Sequence, residues 1–142
     1  MKPVVRYRLP VLLLLSLFCS LVVLSTACQL RRGEASSEGV TATVTIEPSP
    51  PAVGTARLSI TLKTADGKPV VGAKNVQVEG TMTHAGMQPV LATAVEQGNG
   101  VYVVDQFRFT MAGDWVVIVR GTLPDGRAFE TQTPVNGVKP AS

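Results

Sequence analysis

The sequence predicts an all-β protein: a single β-sandwich of about seven strands that follows an export signal and a flexible tether. Apolar and polar residues alternate with a period of two through most of residues 40–135, which is the pattern of strands with one buried face. Turns rich in Gly, Pro, Asn and Asp separate these runs at short intervals. About 100 residues follow the tether, which is the size of one sandwich core.

The first 27 residues are predicted to be a signal peptide. Three basic residues stand at its start, namely Lys2, Arg6 and Arg8. An apolar run extends from there to Leu24, and the small residues 25–27 leave the backbone open to a peptidase. The apolar run has about 16 residues, fewer than the roughly 20 that span a bilayer, so we favour cleavage over the alternative of a retained membrane anchor.

Cys28 is predicted to become the lipid-bearing first residue of the processed chain. Of the two cysteines, Cys19 lies inside the signal, so no internal disulfide is expected after cleavage. A cysteine that is both first and alone in an exported domain is best explained by acylation, and several acyl chains such as palmitate anchor a protein stably. We expect a lipoprotein held on the outer face of the cell membrane, or on the periplasmic side in a two-membrane envelope.

Processing changes the charge of the chain. The precursor has 13 Lys and Arg against 10 Asp and Glu, and three basic residues but no acidic ones precede Cys28. The processed chain is therefore balanced in charge, and neither its charge nor its few aromatics indicate nucleic-acid binding. We assign residues 28–39 to the lipidated cysteine and a flexible tether, 40–136 to the sandwich domain and 137–142 to a C-terminal tail.

The first three predicted strands show the alternation clearly. In residues 40–46 every second residue is a threonine and the others are apolar. After a proline-rich break, the second strand places four apolar side chains on one face: Ala56, Leu58, Ile60 and Leu62. Residues 65–68 form a turn. The third strand then begins at Val76 and leads through Val78 to Met82, all in the inward phase.

Four more strands follow, separated by glycine-containing turns. The fourth is predicted over residues 90–95 and the fifth over 101–111. In the fifth, one phase contains Val101, Val103, Phe107, Phe109 and Met111, and the other contains Tyr102, Val104, Gln106 and Arg108. Residues 115–119 are apolar on both faces, which predicts a central strand covered on both sides. A last strand over 128–135 completes an immunoglobulin-like sandwich.

The candidates for catalysis are few. The chain has one histidine, His84, and its sequence contains no nucleophile elbow, phosphate-binding loop or HExxH motif. Acidic residues are scattered singly through turns and outward strand positions, where solvation explains them. We therefore predict that the protein is not an enzyme.

One dense group of soft ligands follows the third strand. Met82, His84 and Met87 lie within six residues, and thioether sulfur with imidazole is a ligand set suited to Cu(I). Met111, which precedes a glycine-containing turn, is a candidate for a third sulfur. The alternative is packing, because Met82 and Met111 are both in phase with inward apolar residues and methionine is a common core filler.

Three motifs in this order resemble the FixH/YtkA-like domain family. They are residues 80–87 (GTMTHAGM), 98–102 (GNGVY) and 109–115 (FTMAGDW), and the resemblance covers about residues 50–135. It implies a small sandwich domain outside the bacterial membrane, with links in several members to copper handling or to the assembly of copper-containing respiratory oxidases. By position, the family's methionines fall on Met82, Met87 and Met111, which the resemblance implies as metal ligands, and its tryptophan falls on Trp115. His84 matches a more variable position. Members are anchored by a helix or by a lipid, and this chain differs from the helix-anchored ones in having Cys28 as its predicted anchor.

These observations leave three hypotheses. The first is a membrane-tethered domain that binds Cu(I) through Met82, His84, Met87 and Met111, and delivers it to a copper protein or an oxidase-assembly partner. The second is a metal-free envelope scaffold or protein-interaction module. The third, a carbohydrate-binding sandwich, is disfavoured, because Tyr102 and Trp115 are the only large planar candidates in strands besides the inward phenylalanines.

Overall fold

The computed structural model describes residues 39–82 and 86–141. These residues form eight strands: β1 (Val40–Glu47), β2 (Gly54–Thr64), β3 (Lys74–Thr81), β4 (Val90–Thr93), β5 (Val95–Gly98), β6 (Val101–Phe109), β7 (Gly113–Thr122) and β8 (Ala128–Val138). Residues 1–38, which contain the predicted signal peptide, Cys28 and nearly all of the tether, lie outside this description. No helix within the described residues is long and apolar enough to cross a membrane.

The strands form two antiparallel sheets of four, in the orders β1-β2-β6-β5 and β4-β3-β7-β8. An immunoglobulin-type sandwich has this arrangement when one extra edge strand is added to its second sheet. The predicted all-β sandwich is therefore confirmed, with eight strands in place of seven. β7 lies between β3 and β8 and is central in its sheet, as the apolar run 115–119 predicted.

The predicted fourth strand, 90–95, is in fact two strands that belong to different sheets. β4 pairs with β3, whereas β5 pairs with β6. The crossover occurs at Ala94, which is buried and whose N–H donates to the Val76 carbonyl at 2.9 Å. The sequence shows no break here, because an alanine is compatible both with a strand and with a buried crossover.

The phase predicted for the fifth strand holds only for its second half. Ala56 pairs with Phe107 but Leu58 pairs with Val104, so β6 has one extra residue at this point. Because of this β-bulge, Tyr102 and Val104 face the core together with Phe107. The alternation predicted that Tyr102 and Val104 lie on the face opposite to Phe107. Strict period-two counting fails wherever a strand contains an extra residue.

Aromatic side chains fill the core between the sheets. Phe109 packs edge-on against both Phe107 and Trp115, with ring centroids 5.1 Å apart in each pair. Gly80 of β3 permits this packing, because a Cβ at that position would overlap the Phe107 ring and lie 3.3 Å from Trp115. This cluster supports the turn that connects β6 to β7.

The C-terminal strand is longer than predicted. β8 continues to Val138, two residues past the predicted domain end at 136, and Val138 is buried. Lys139 then pairs with the segment before β2: its N–H donates to the Pro51 carbonyl and its carbonyl accepts from Val53. The pairing with a distant segment explains why local alternation alone did not reveal the strand end.

Candidate functional site

Three connections lie together at one end of the sandwich, which we call the methionine end. They are residues 48–53 between β1 and β2, residues 82 and 86–89 between β3 and β4, and residues 110–112 between β6 and β7. The strand register places them together, because Thr81 at the end of β3 pairs with Val116 near the start of β7, and Gly54 at the start of β2 pairs with Phe109 at the end of β6. Met82, Met87 and Met111 all belong to these connections.

Met82 is the most deeply placed of the three methionines. It is only 8% exposed and continues the inward phase of Val76 and Val78, as predicted. Its terminal methyl carbon, Cε, lies 3.0 Å from the position that a Cβ on Gly113 would occupy. The end of the Met82 side chain therefore lies beside Gly113, the first residue of β7, which directly follows the turn that carries Met111.

Met111 differs sharply from the core position that one interpretation of the sequence gave it. β6 ends at Phe109, and Met111 lies in the following turn with 47% of its surface exposed. Packing in phase with Phe107 and Phe109 therefore does not account for this residue. Its carbonyl accepts a hydrogen bond of 3.0 Å from the indole N–H of Trp115, which is itself 1% exposed.

Met87 is intermediate between these two positions. It is half-buried and packs against the hydrophobic core just after Gly86, which has a φ of +93°. His84 lies outside the described residues, so its predicted role as a ligand stays a prediction. The structure thus brings all three candidate sulfur ligands to one end of the domain and grades them from buried to exposed.

The ligands available at this end are soft. No group of three His, Cys, Asp or Glu side chains that could hold a metal ion occurs in residues 39–82 and 86–141. Asp114, three residues after Met111, accepts a hydrogen bond of 2.8 Å from the Gly137 N–H. Thioether sulfur suits Cu(I), whereas Mg²⁺ and Ca²⁺ prefer oxygen ligands. The donor set therefore fits a cuprous ion.

The opposite end of the sandwich, which we call the tyrosine end, is held by polar contacts. It comprises the connection 65–73, the turn 99–100 and the turn 123–127. The Tyr102 hydroxyl donates to the Val70 carbonyl at 3.0 Å and accepts from the Ala73 N–H at 2.9 Å. Burial raises the pKa of this phenol above its usual value. Sequence reasoning missed this role, since nothing in the alternation shows which loop a tyrosine will hold.

Two further features of this end bear on the candidate site. Tyr102 and Trp115 are each 1% exposed, so neither ring offers the flat surface that a carbohydrate-binding sandwich uses. A shallow groove of about 330 Å³ is lined by Pro69, Val71 and Pro124, among others. None of Met82, Met87 and Met111 lines this groove.

Fold and site together define a small β-sandwich domain with a thioether-bearing loop end. The model of the YtkA-like family matches residues 34–120, and the chain therefore belongs to that family. The match confirms the YtkA-like resemblance predicted from the sequence and includes every candidate sulfur ligand as well as Trp115. No curated protein and no solved structure matches the chain.

Proposed function

We propose that this protein is an extracytoplasmic lipoprotein whose YtkA-like domain binds Cu(I) at the methionine end. The ion would be passed to a copper protein or used in the assembly of a copper-containing respiratory oxidase. One observation carries the proposal: the exposed Met111 is held on the same end of the sandwich as Met82 and Met87.

The grading of the three methionines suits an exchangeable site. Met82, nearly buried, would be the innermost ligand, and Met111, about half exposed, would be the outermost. Thioethers carry no charge, so the site would hold Cu(I) without a compensating anion, and an acceptor could replace the exposed ligand first. Such a site favours transfer over permanent storage.

The position of Val40 suits the proposed anchor. Val40, the first residue of β1, pairs with Thr64, the last residue of β2, so the tether joins the domain at the tyrosine end. A lipid on Cys28 would hold the domain from that end. The methionine end would then be accessible to a partner in the aqueous phase.

Titration with Cu(I) against a competing chelator tests the copper proposal. We would use the full chain in detergent with Cys19→Ser and Cys28→Ser, so that no thiol competes for the ion. The Met82→Leu, Met87→Leu double variant should bind Cu(I) at least about tenfold more weakly, a difference of about 1.4 kcal/mol. An unchanged affinity would sink the proposal.

A matched control comes from the other end of the domain. Leu123 is 6% exposed at the tyrosine end, and Leu123→Met introduces a thioether there with little change in volume. This variant should leave the Cu(I) affinity as it is. A gain in affinity would mean that any thioether on the domain binds the ion, without a defined site.

The anchor is tested separately. Mass spectrometry of the protein isolated from membranes should show an N-terminus at Cys28 with a diacylglyceryl group, and Cys28→Ser should abolish it. A chain that still begins at Met1 would refute the lipoprotein proposal. It would leave the copper proposal intact.

The alternative function is a metal-free scaffold or interaction module in the cell envelope. Two edge-strand residues favour it, since Leu91 of β4 is 73% exposed and Val95 of β5 is 62% exposed. On this account Met82 and Met87 are packing residues. The titration then finds no Cu(I) affinity, and the methionine variants change stability only slightly.

A further inference from the structure

We infer that Trp115 and Gly113 are positioning residues, which hold Met111 and Met82 in place for the ion. The inference rests on the proposed function. Neither residue offers a ligand that competes with the sulfurs. Trp115 is hydrogen-bonded to Met111, and Gly113 lies beside the end of the Met82 side chain.

Trp115 acts on Met111 through the backbone. Its N–H is the only polar group of a side chain that is 1% exposed, so it needs a hydrogen-bond partner within the fold. The Met111 carbonyl, four residues earlier, is that partner at 3.0 Å. The side chain of Met111 is exposed, but the backbone that carries it is tied to a buried ring.

The ring that ties this turn is itself fixed. Trp115 packs edge-on against Phe109 with an interplanar angle of 87°, and Phe109 is the last residue of β6. The two aromatic residues therefore bracket the turn 110–112 on both sides. A turn held in this way limits the positions that the Met111 sulfur can reach.

Gly113 acts on Met82 by leaving room for it. Its φ of +120° is one that residues with a side chain rarely adopt. A Cβ there would lie 3.0 Å from Met82 Cε, so the end of the thioether would have to move. The turn from β6 to β7 thus fixes one candidate ligand and shapes the space of another.

Fixed ligands should raise the affinity, because less side-chain and loop motion is lost when the ion binds. Trp115→Phe keeps a buried aromatic ring, but it removes the N–H donor together with one of the two fused rings. We expect this variant to bind Cu(I) about tenfold more weakly than the parent chain. The titration is done on the full Cys19→Ser, Cys28→Ser chain in detergent.

A double-mutant cycle separates positioning from a general structural effect. In a Met111→Leu background the Trp115→Phe change should have no further effect on Cu(I) affinity, because the ligand that it positions is gone. Tyr102→Phe is the matched control. Like Trp115→Phe it removes a hydrogen-bond donor from a buried aromatic side chain, here a hydroxyl, but it does so at the tyrosine end. It should lower the stability and leave the affinity unchanged.

The emission of Trp115 gives a second readout, since it is the single tryptophan of the chain. Binding of Cu(I) to the parent chain should change this emission, and the change should be reduced in Met111→Leu.

If Trp115→Phe does not fold, as judged by circular dichroism, Gly113→Ala replaces it and should weaken Cu(I) binding by a similar factor. Gly126→Ala is then the control: Gly126 has a φ of +87° at the tyrosine end, and its replacement should leave Cu(I) binding unchanged.

The outcomes distinguish the two proposals. If the parent chain binds no Cu(I), the proposed function fails and this inference fails with it. If the parent chain binds Cu(I) and the positioning variant binds it equally well, the inference is overturned and the proposed function stands. A loss that persists in the Met111→Leu background would also overturn the role of Trp115.

Discussion

The two ends of the sandwich are closed by different kinds of contact. At the tyrosine end, Tyr102 bonds two backbone groups of one connection, and both carboxylate oxygens of Glu96 accept from the Gly72 N–H at 3.1 Å. At the methionine end, backbone bonds of Lys139 hold the connection 48–53, whereas the Met82 side chain packs beside Gly113 and Met111 is exposed. Interlocked polar bonds stabilise one fixed arrangement, whereas a metal ion can exchange uncharged thioether ligands. If the proposed function holds, one end provides stability and the other binds the ion.

The sharpest test of this comparison is Gly100→Ala at the tyrosine end. Gly100 has a φ of +74°, and a Cβ there would lie 2.8 Å from the Leu62 carbonyl oxygen and 2.9 Å from the Val70 nitrogen. Backbone atoms cannot easily move away, so we expect a loss of about 3 kcal/mol in the free energy of unfolding. Urea denaturation followed by circular dichroism measures it.

Gly86→Ala is the matched change at the methionine end. Gly86 also has a positive φ, of +93°, but no atom of the described residues lies within 4 Å of its Cβ position. Only the backbone strain remains, so the loss should be about 1 kcal/mol. Equal losses at the two glycines would contradict the view that the tyrosine end is the more tightly built.

Tyr102→Phe should have the next largest effect. It deprives the Val70 carbonyl and the Ala73 N–H of their shared partner, and the ring is 1% exposed, so water does not replace the hydroxyl easily. We expect a loss of about 2 kcal/mol in the free energy of unfolding. Urea denaturation measures this loss, and a loss smaller than that of Met82→Leu at the methionine end would break the comparison.

The same tyrosine predicts how stability depends on alkaline pH. Burial raises the pKa of Tyr102 in the folded chain above the unfolded value of about 10. Above that pH the unfolded chain loses its proton first, so the stabilisation is complete below the unfolded pKa and disappears as the pH rises through the folded one. Denaturation at pH 9 and pH 11 should show a smaller loss in Tyr102→Phe than in the parent chain. A parallel loss in both would assign the effect to other groups.

Much of this architecture could be predicted from the sequence, because one buried face per strand leaves a period of two. The alternation located most strands, the central β7 and the inward Met82. It failed at the β-bulge near Asp105, where one extra residue inverts the phase of Tyr102, and at Ala94, where the chain changes sheets. Both failures depend on pairing with distant strands, which a local pattern does not encode.

The candidate site shows the same limit. The soft ligands were visible in the sequence, and the family match now covers them. The exposure of Met111 was not visible, because extending the strand by two residues past Phe109 made it look like a core residue. The support from Trp115 was not visible either, since a hydrogen bond across a turn depends on where β6 ends.

Met82→Leu tests whether the methionine end also has a structural role. Leucine has a similar volume and remains apolar, so the cost in the free energy of unfolding should be about 1 kcal/mol despite the 8% exposure of Met82. Thermal unfolding and Cu(I) titration of the same variant are compared. A stability loss as large as that of Tyr102→Phe would mean that this sulfur is needed for packing and would blur the distinction between the ends.

The smallest effect is expected between the two ends, and its sign is opposite. Thr131 of β8 pairs with Val119, is 9% exposed, and its hydroxyl has no hydrogen-bond partner among the residues that the structure describes. Thr131→Val keeps the shape and removes the unsatisfied group, so it should stabilise the fold by somewhat less than about 1 kcal/mol. Thr43→Val, on the exposed face of β1, should change stability by less than about 0.5 kcal/mol in either direction. Because Thr131 belongs to neither end, the stability gained in Thr131→Val should add to the stability lost in Tyr102→Phe, and the Cu(I) affinity should not change. If the free energies of unfolding of the two variants do not add in the double variant, the ends communicate through β8.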